Sequence, residues 1–274
     1  MKNRFINKRL LILIFSILAF FYIVFSFIFS VKINENLYDV NFENKFLSPS
    51  LIHPFGCDFM GRDMFFRSFK ALSNSLIIGL SAAFISSIIA IVFAFFSSLN
   101  NKFIDRLINF LVDLCMGLPH LVLMILISFM FSKGVKGVTM AIALTHWPTL
   151  TRIIRAEIIK IRSSQYVKIS QKFGKSKIKI AISHIFINIL PSYIIGLILL
   201  FPHAIMHEAS ITFLGFGLPR EMPAIGIILS ESVNNIALGK WHLVFFPGLL
   251  LLIEVLLFDF LGETLKTFLN PSTK

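Results

Sequence analysis

Leu10 to Val31 is an unbroken run of 22 residues with no charged side chain, and comparable apolar runs recur along the chain. Hydrocarbon offers no water to backbone N–H and C=O groups. A run of this length must therefore close its own hydrogen bonds, and a spanning helix is the only single-segment solution. The composition agrees with several such helices: 56% of the 274 residues are hydrophobic and 15% are charged, too few charges to cover a soluble domain of this size. The first run exceeds the roughly 7–15 residues of a signal-peptide core and lacks a small-residue cleavage site, so it is expected as a retained helix.

Six membrane segments are expected, at about Leu10–Val31, Ala71–Ser98, Leu107–Phe131, Val135–Leu150, Ile185–Met206 and Leu243–Leu265. The fold class is all-α integral membrane. The net charge of +12 does not require nucleic acid, because Lys and Arg accumulate on the cytoplasmic side of spanning helices. With the N-terminus inside, 17 of the 26 basic residues fall on inner segments, among them Lys2, Arg4, Lys8, Arg9, Arg152, Arg155, Lys266 and Lys274. Both termini are thus expected in the cytoplasm. Cys57 and Cys115 support neither a disulfide framework nor a thiolate metal cluster. The outer loop Lys32–Lys70 is long enough to fold against something. The Gly- and Pro-rich segment Glu208–Lys240 is expected as an outer loop with a short re-entrant element.

One stretch departs from this apolar background. In "QYVKISQKFGKSKIKIAISH", Gln165 to His184, five lysines crowd around Gly174. Ser163 and Ser164 are good helix N-caps, and a glycine after two to three turns is a usual helix stop. Tyr166, Ile169 and Phe173, spaced i, i+3 and i+7, give the short helix one apolar face. Three readings stay open: a solvated positive-inside loop, a helix lying on anionic headgroups, or a cytoplasmic helix that docks in a groove on a partner.

The residues carry a resemblance. Tyr166-Val167, Gly174 and Leu190-Pro191 resemble the cytoplasmic "EAA" loop of ABC-importer permeases, with Lys168, Ile169 and Ser170 in place of its acidic-Ala-Ala core. "HPFGCDFMGRDMFFR", His53 to Arg67, resembles the HPFG-T-D-x-x-GRD segment of dipeptide, oligopeptide and nickel importer permeases, with Cys57 replacing threonine. "THWPTLTRIIRAE" (145–157), "EASITFLGFGLP" (208–219) and "FDFLGETLKTFLNP" (258–271) follow in the family's order, and the second-type "C" permease is the nearest in pattern.

The resemblance implies an ABC type I importer architecture. An N-terminal helix and extracytoplasmic segment would occupy 1–70 and a permease core 71–274, with a cytoplasmic coupling loop at about 152–184. It implies ATPase-coupling roles for Tyr166, Val167, Lys168, Ser170, Gly174, Leu190 and Pro191. The implied partners are a second permease subunit or a second copy of this chain, two ABC ATPase subunits and an extracytoplasmic binding protein, in the inner membrane. No G-x-x-x-x-G-K-[ST] loop is present in the sequence, so ATP and Mg are expected on the ATPase partners, with no catalysis and no cofactor on this chain. Transport would follow by alternating access, ligand and ATP each favouring one of two states.

Ionisable residues inside the membrane are the usual marks of a transport path. Asp113 and Asp259 lie toward inner ends, and Glu254, near mid-helix, is expected to contact a neighbouring helix. Histidines are the sharper signal. His120, His146, His203, His207 and the neighbouring Glu208 are translocation candidates, since peptide-type relatives tend to carry small residues at the histidine positions. His203 and His207, one turn apart on a helical face, are the expected transient metal ligands. Imidazole suits Ni, Cu and Zn, which tilts the expected cargo from di- and oligopeptides toward nickel or a nickel chelate. The competing classes are an ion-coupled secondary transporter, for which no inverted repeat is found, and a membrane metalloprotein, whose H-E-x-x-H signature is missing.

Overall fold

The computed structural model describes residues 2–98 and 101–269. Asn270, Pro271 and Lys274, used in the reading above, lie outside the described residues, as do the side chains of Lys2, Arg4, Lys8, Arg9 and Lys177. Among the described residues ten α-helices follow in order: α1 (Lys2–Lys32), α2 (Met64–Ser98), α3 (Lys102–Gly117), α4 (His120–Met130), α5 (Gly134–Arg162), α6 (Gln165–Lys172), α7 (Lys177–Ile180), α8 (Ile187–Phe213), α9 (Ile225–Ser232) and α10 (His242–Leu269). A π-helical stretch, Ala181–Phe186, joins α7 to α8.

The expected spans map onto α1, α2, the α3–α4 pair, α5, α8 and α10. Among the described residues four stretches are long and apolar enough to cross alone: Leu10–Lys32, Met64–Ser97, Ile178–Phe213 and His242–Leu269. Two expectations need correcting. The third segment is not continuous, because α3 and α4 meet at 101°. Pro119 is the cause: its ring drives the preceding residue out of the helical region, and Leu118 accordingly sits at φ −92°, ψ 147°. The fourth segment does not end at Leu150, since α5 runs 29 residues, about 43 Å at 1.5 Å per residue. After Lys136 in its first turn the next charge is Arg152, yet Ile154, Ile158 and Ile161 stay buried at helical spacing and carry the helix onward.

Helix α5 forms the middle of the bundle, packed on α2, α4 and α8. One apolar cluster joins α2, α4, α5, α8, α9 and α10 around Leu72, Ile142, Ile205 and Ile228. A second joins α2, α3, α5, α6, α7, the π stretch and the start of α8 around Ile154, Ile158, Val167 and Ile189. Between α1 and α10 the contact is polar: Ser26 Oγ donates to Glu254 Oε1 at 3.0 Å, both residues buried. Glu254 therefore contacts a neighbouring helix as expected.

The loop from Ile33 to Asp63 is folded by charge. Asp58, almost fully buried, accepts from Arg62 Nε at 2.7 Å and from Arg67 Nη1 at 3.1 Å. Both guanidinium groups also reach Glu231 Oε2 on α9, at 3.0 and 2.7 Å. The loop is thereby held to a helix more than 150 residues away. Buried charges persist only where partners of this kind surround them. Asp63 holds His53 Nδ1 at 2.6 Å and accepts from the N–H groups of Phe65 and Phe66. That N-cap starts α2 at Met64, seven residues before the expected Ala71. Gly61 is required here: its φ is +74°, and a Cβ would stand 1.7 Å from the Asn41 carbonyl oxygen. Burial, aided by Asp63 and Asp58, pushes the Cys57 thiol up to about 11, so it packs as a neutral apolar group. The segment Glu208–Lys240 is also corrected. It opens inside α8 rather than as a loop, and its short apolar helix, α9, is buried against α8 and α10.

Proline in mid-helix leaves the carbonyl four residues earlier without its donor. At Pro148 that carbonyl belongs to Leu144, and Trp147 Nε1 donates to it at 3.0 Å. Trp147→Phe should therefore lower stability by about 1–3 kcal/mol, the penalty of an orphaned buried acceptor. In a Pro148→Ala background, where the backbone N–H returns, the same change should cost measurably less. Thermal unfolding of the purified protein in detergent reads both, and equal losses in the two backgrounds would contradict the repair.

Candidate functional site

The expected site residues separate into two places. The first is the elbow between α5 and α8. Ser164 is the N-cap of α6, but its hydroxyl does not cap the new helix. It donates instead to the Ile161 carbonyl at 2.5 Å, closing the end of α5. At the other end Gly174 N–H reaches Gln171 O at 3.0 Å and Lys175 N–H reaches Ser170 O at 3.2 Å. These paired bonds form a Schellman stop, with Gly174 left-handed at φ +73°.

Val167 is fully buried and Ser170 nearly so. Ser170 Oγ lies 3.1 Å from His184 Nε2, and the Tyr166 ring meets the same imidazole edge-on, so α6 is rooted on the π stretch. The other face is free: Tyr166 is 45%, Ile169 52% and Phe173 82% exposed. Lys168 is exposed beside them. Leu190 and Pro191 are not in the elbow but in the first turn and a half of α8.

The elbow is stiffened from below by charge. Arg155 bonds Asn109 Oδ1 and reaches Asp105 at 3.3 Å, and Arg152 reaches Asp113 at 2.7 Å. These pairs tie α3 to α5. The Arg152–Asp113 pair is solvent-exposed, so it orients more than it stabilises.

The second place lies at the helix break. Pro119 turns the chain so that His120, the first residue of α4, faces α5 and α8. There it meets His146 and His207, with ring centroids 4.8 Å apart for His120–His146, 4.8 Å for His120–His207 and 4.9 Å for His146–His207. One nitrogen from each ring lies within 4.8 Å of the others. His146 is buried, and the other two are half-buried. His146 Nδ1 lies 3.0 Å from the Ile142 carbonyl oxygen and 3.1 Å from Thr145 Oγ1. A carbonyl only accepts, so Nδ1 carries the proton and Nε2 keeps a lone pair.

This arrangement regroups the histidines expected from the sequence. His207 joins His120 and His146, whereas His203, one turn away and exposed, stands outside the group. Glu208 turns inward: it is fully buried, and its Oε1 accepts from Thr212 Oγ1 at 2.9 Å. Sequence spacing pointed to the i, i+4 pair and missed the convergence of three helices. The available signal was Pro119 immediately before His120.

Residues 86–274 match the family of binding-protein-dependent transport system inner membrane components. The chain is similar to the dipeptide transport system permease protein DppC of Bacillus subtilis (strain 168), 28% identical over 228 residues, 83% of this chain and 71% of the relative. The oligopeptide transport system permease protein OppC of the same organism is 28% identical over 226 residues, 82% and 74% of the two chains. A dipeptide transport system permease protein of Alkalihalophilus pseudofirmus is 30% identical over 248 residues, 90% of this chain and 81% of that one. With about two-thirds of its length matching the family and its helices long enough to cross a membrane several times, this chain belongs to the binding-protein-dependent transport system inner membrane components, the multi-pass permease subunits of ABC importers.

Proposed function

We propose that this chain lines, together with a second permease subunit or a second copy of itself, the translocation path of an importer whose ATP-driven motion enters through α6. One observation carries the reading. A short helix is clamped at both ends and rooted by Val167 and Ser170, yet it holds Tyr166, Ile169 and Phe173 out into solvent. An unpartnered apolar face on a stiff elbow fits a groove on a partner. Because α6 is fixed to α5 on one side and to the α7–α8 segment on the other, a push on it moves two membrane helices together. Lysines 168, 172, 175 and 179 around this face accord with a cytoplasmic location by the positive-inside bias, where ATPase subunits, with their ATP and Mg, reside. A binding protein on the opposite side would deliver the cargo.

The relatives' names support di- and oligopeptides as the cargo. A second reading, nickel or a nickel chelate, is favoured by the meeting of His120, His146 and His207 inside the helical bundle. Uptake of radiolabelled dipeptide and of radioactive nickel, measured in cells lacking this chain, separates them. Loss of peptide uptake alone establishes the first cargo and loss of nickel uptake alone the second. Both rates unchanged would contradict the importer role.

The coupling role has its own test. Nothing lies within 4 Å of a Cβ placed on Gly174, but its φ is +73°. The Cβ of a valine there meets no neighbour, and the left-handed backbone costs it about 1–2 kcal/mol. Gly174→Val should weaken ATPase binding roughly 5- to 30-fold, the factor that corresponds to this strain, and lower transport with it. Titration of purified ATPase onto the permease reads the affinity. Parent-like affinity and uptake would remove α6 from the coupling path.

A further inference from the structure

The three imidazoles at the helix break have no evident packing purpose. They come from three different helices, meet edge to face, and no carboxylate joins them among the described residues. His120 and His207 make no hydrogen bond to any described protein group, whereas His146 has its Nδ1 proton fixed by the Ile142 carbonyl. That pattern is the one metal-ligating histidines show: one ring nitrogen donates to a backbone carbonyl, which fixes the tautomer and aims the other nitrogen's lone pair. A cation between the rings takes a lone pair from each of the three at once.

The spacing fits such an ion. Three nitrogens bound at 2.0–2.1 Å in tetrahedral geometry lie about 3.4 Å apart. The observed group, all within 4.8 Å, is wider than that by up to about 1.4 Å, so binding requires the two half-buried rings to turn inward. Neutral imidazoles exclude Mg2+ and Ca2+, which prefer oxygen, and select the Ni2+, Cu2+ and Zn2+ end of the first row. Three protein ligands leave a coordination position open, so an ion held here exchanges instead of being locked in. The site also lies beside a discontinuous helix, the feature around which transporter substrate sites are often built.

We propose that His120, His146 and His207 form an exchangeable binding site for a divalent first-row transition-metal ion. Binding is a ligand exchange: three imidazole nitrogens replace three waters of the ion, and no redox step is involved. The site itself follows from this geometry. A role for it as a way-station for cargo rests on the nickel reading above.

Isothermal titration of the full-length chain, purified with its partner subunits and with any affinity tag removed, tests the site with Ni2+ and Zn2+ as probes. One ion per chain is expected. His120→Gln, at a half-buried helix start where folding is little disturbed, should weaken binding at least tenfold, as loss of even an outer-shell partner does. His207→Gln should do the same. Absence of saturable binding, or affinity within twofold of the parent in His120→Gln, overturns the site. Loss of binding in His203→Gln with retention in His120→Gln overturns it in favour of the one-helix pair. Nickel uptake by the His120→Gln strain tests the cargo role separately. Binding lost with uptake intact keeps the site and removes it from the transport path.

Discussion

Every backbone N–H and C=O inside a bilayer needs a partner within the protein, and this demand organises the whole chain. Where the helices are regular it is met by default. At each irregularity a named group meets it: the Trp147 indole serves the carbonyl that Pro148 leaves open, the Ser164 hydroxyl serves the end of α5, and Gly174 closes α6 through paired backbone bonds. The irregularities are therefore engineered into the packing, and both candidate sites sit on them. The elbow exists because α5 stops cleanly at Ser163, and the imidazole cluster exists because Pro119 breaks the third membrane segment.

The remaining order is set by charges too costly to leave alone. Asp58, Arg62, Arg67 and Glu231 bind the loop after α1 to α9. Removing one member leaves an uncompensated charge with almost no solvent, a loss far larger than that of a surface pair. The Arg152–Asp113 pair between α3 and α5 lies in the open and is correspondingly weaker in effect. One end of the bundle is thus fixed by buried electrostatics, while the basic elbow is fixed by backbone capping with its apolar face left free. That division suits the proposed coupling role, in which a firm frame carries one handle for a neighbour to move.

Much of this was legible in the sequence. The runs of apolar residues located the helices that carry the six expected segments, though not the break at Pro119 or the bounds of α2 and α5, and the glycine and lysine pattern located the elbow to within a residue or two at each end. The exposed Tyr166, Ile169 and Phe173 face followed from helical spacing alone. Other features were not legible, for reasons that are physical. The start of α2 depends on a side-chain cap by Asp63, which hydropathy does not see. The length of α5 depends on an isoleucine stripe beneath its charged residues, and composition reads those charges as a boundary. The histidine cluster depends on three helices meeting. Within one helix, spacing finds His203 and His207, but only the fold brings His207 to His120 and His146 and sends Glu208 to Thr212.

The central claim is that the basic elbow faces the ATP-bearing compartment, and its sidedness is directly measurable. A single cysteine introduced as Lys172→Cys, with Cys57 and Cys115 replaced by alanine, is exposed to a membrane-impermeant thiol reagent in intact cells and in inverted membrane vesicles. Labelling in the inverted vesicles alone is the predicted result. Labelling in intact cells would place α6 on the outside, where no ATPase can grip it, and would contradict the account.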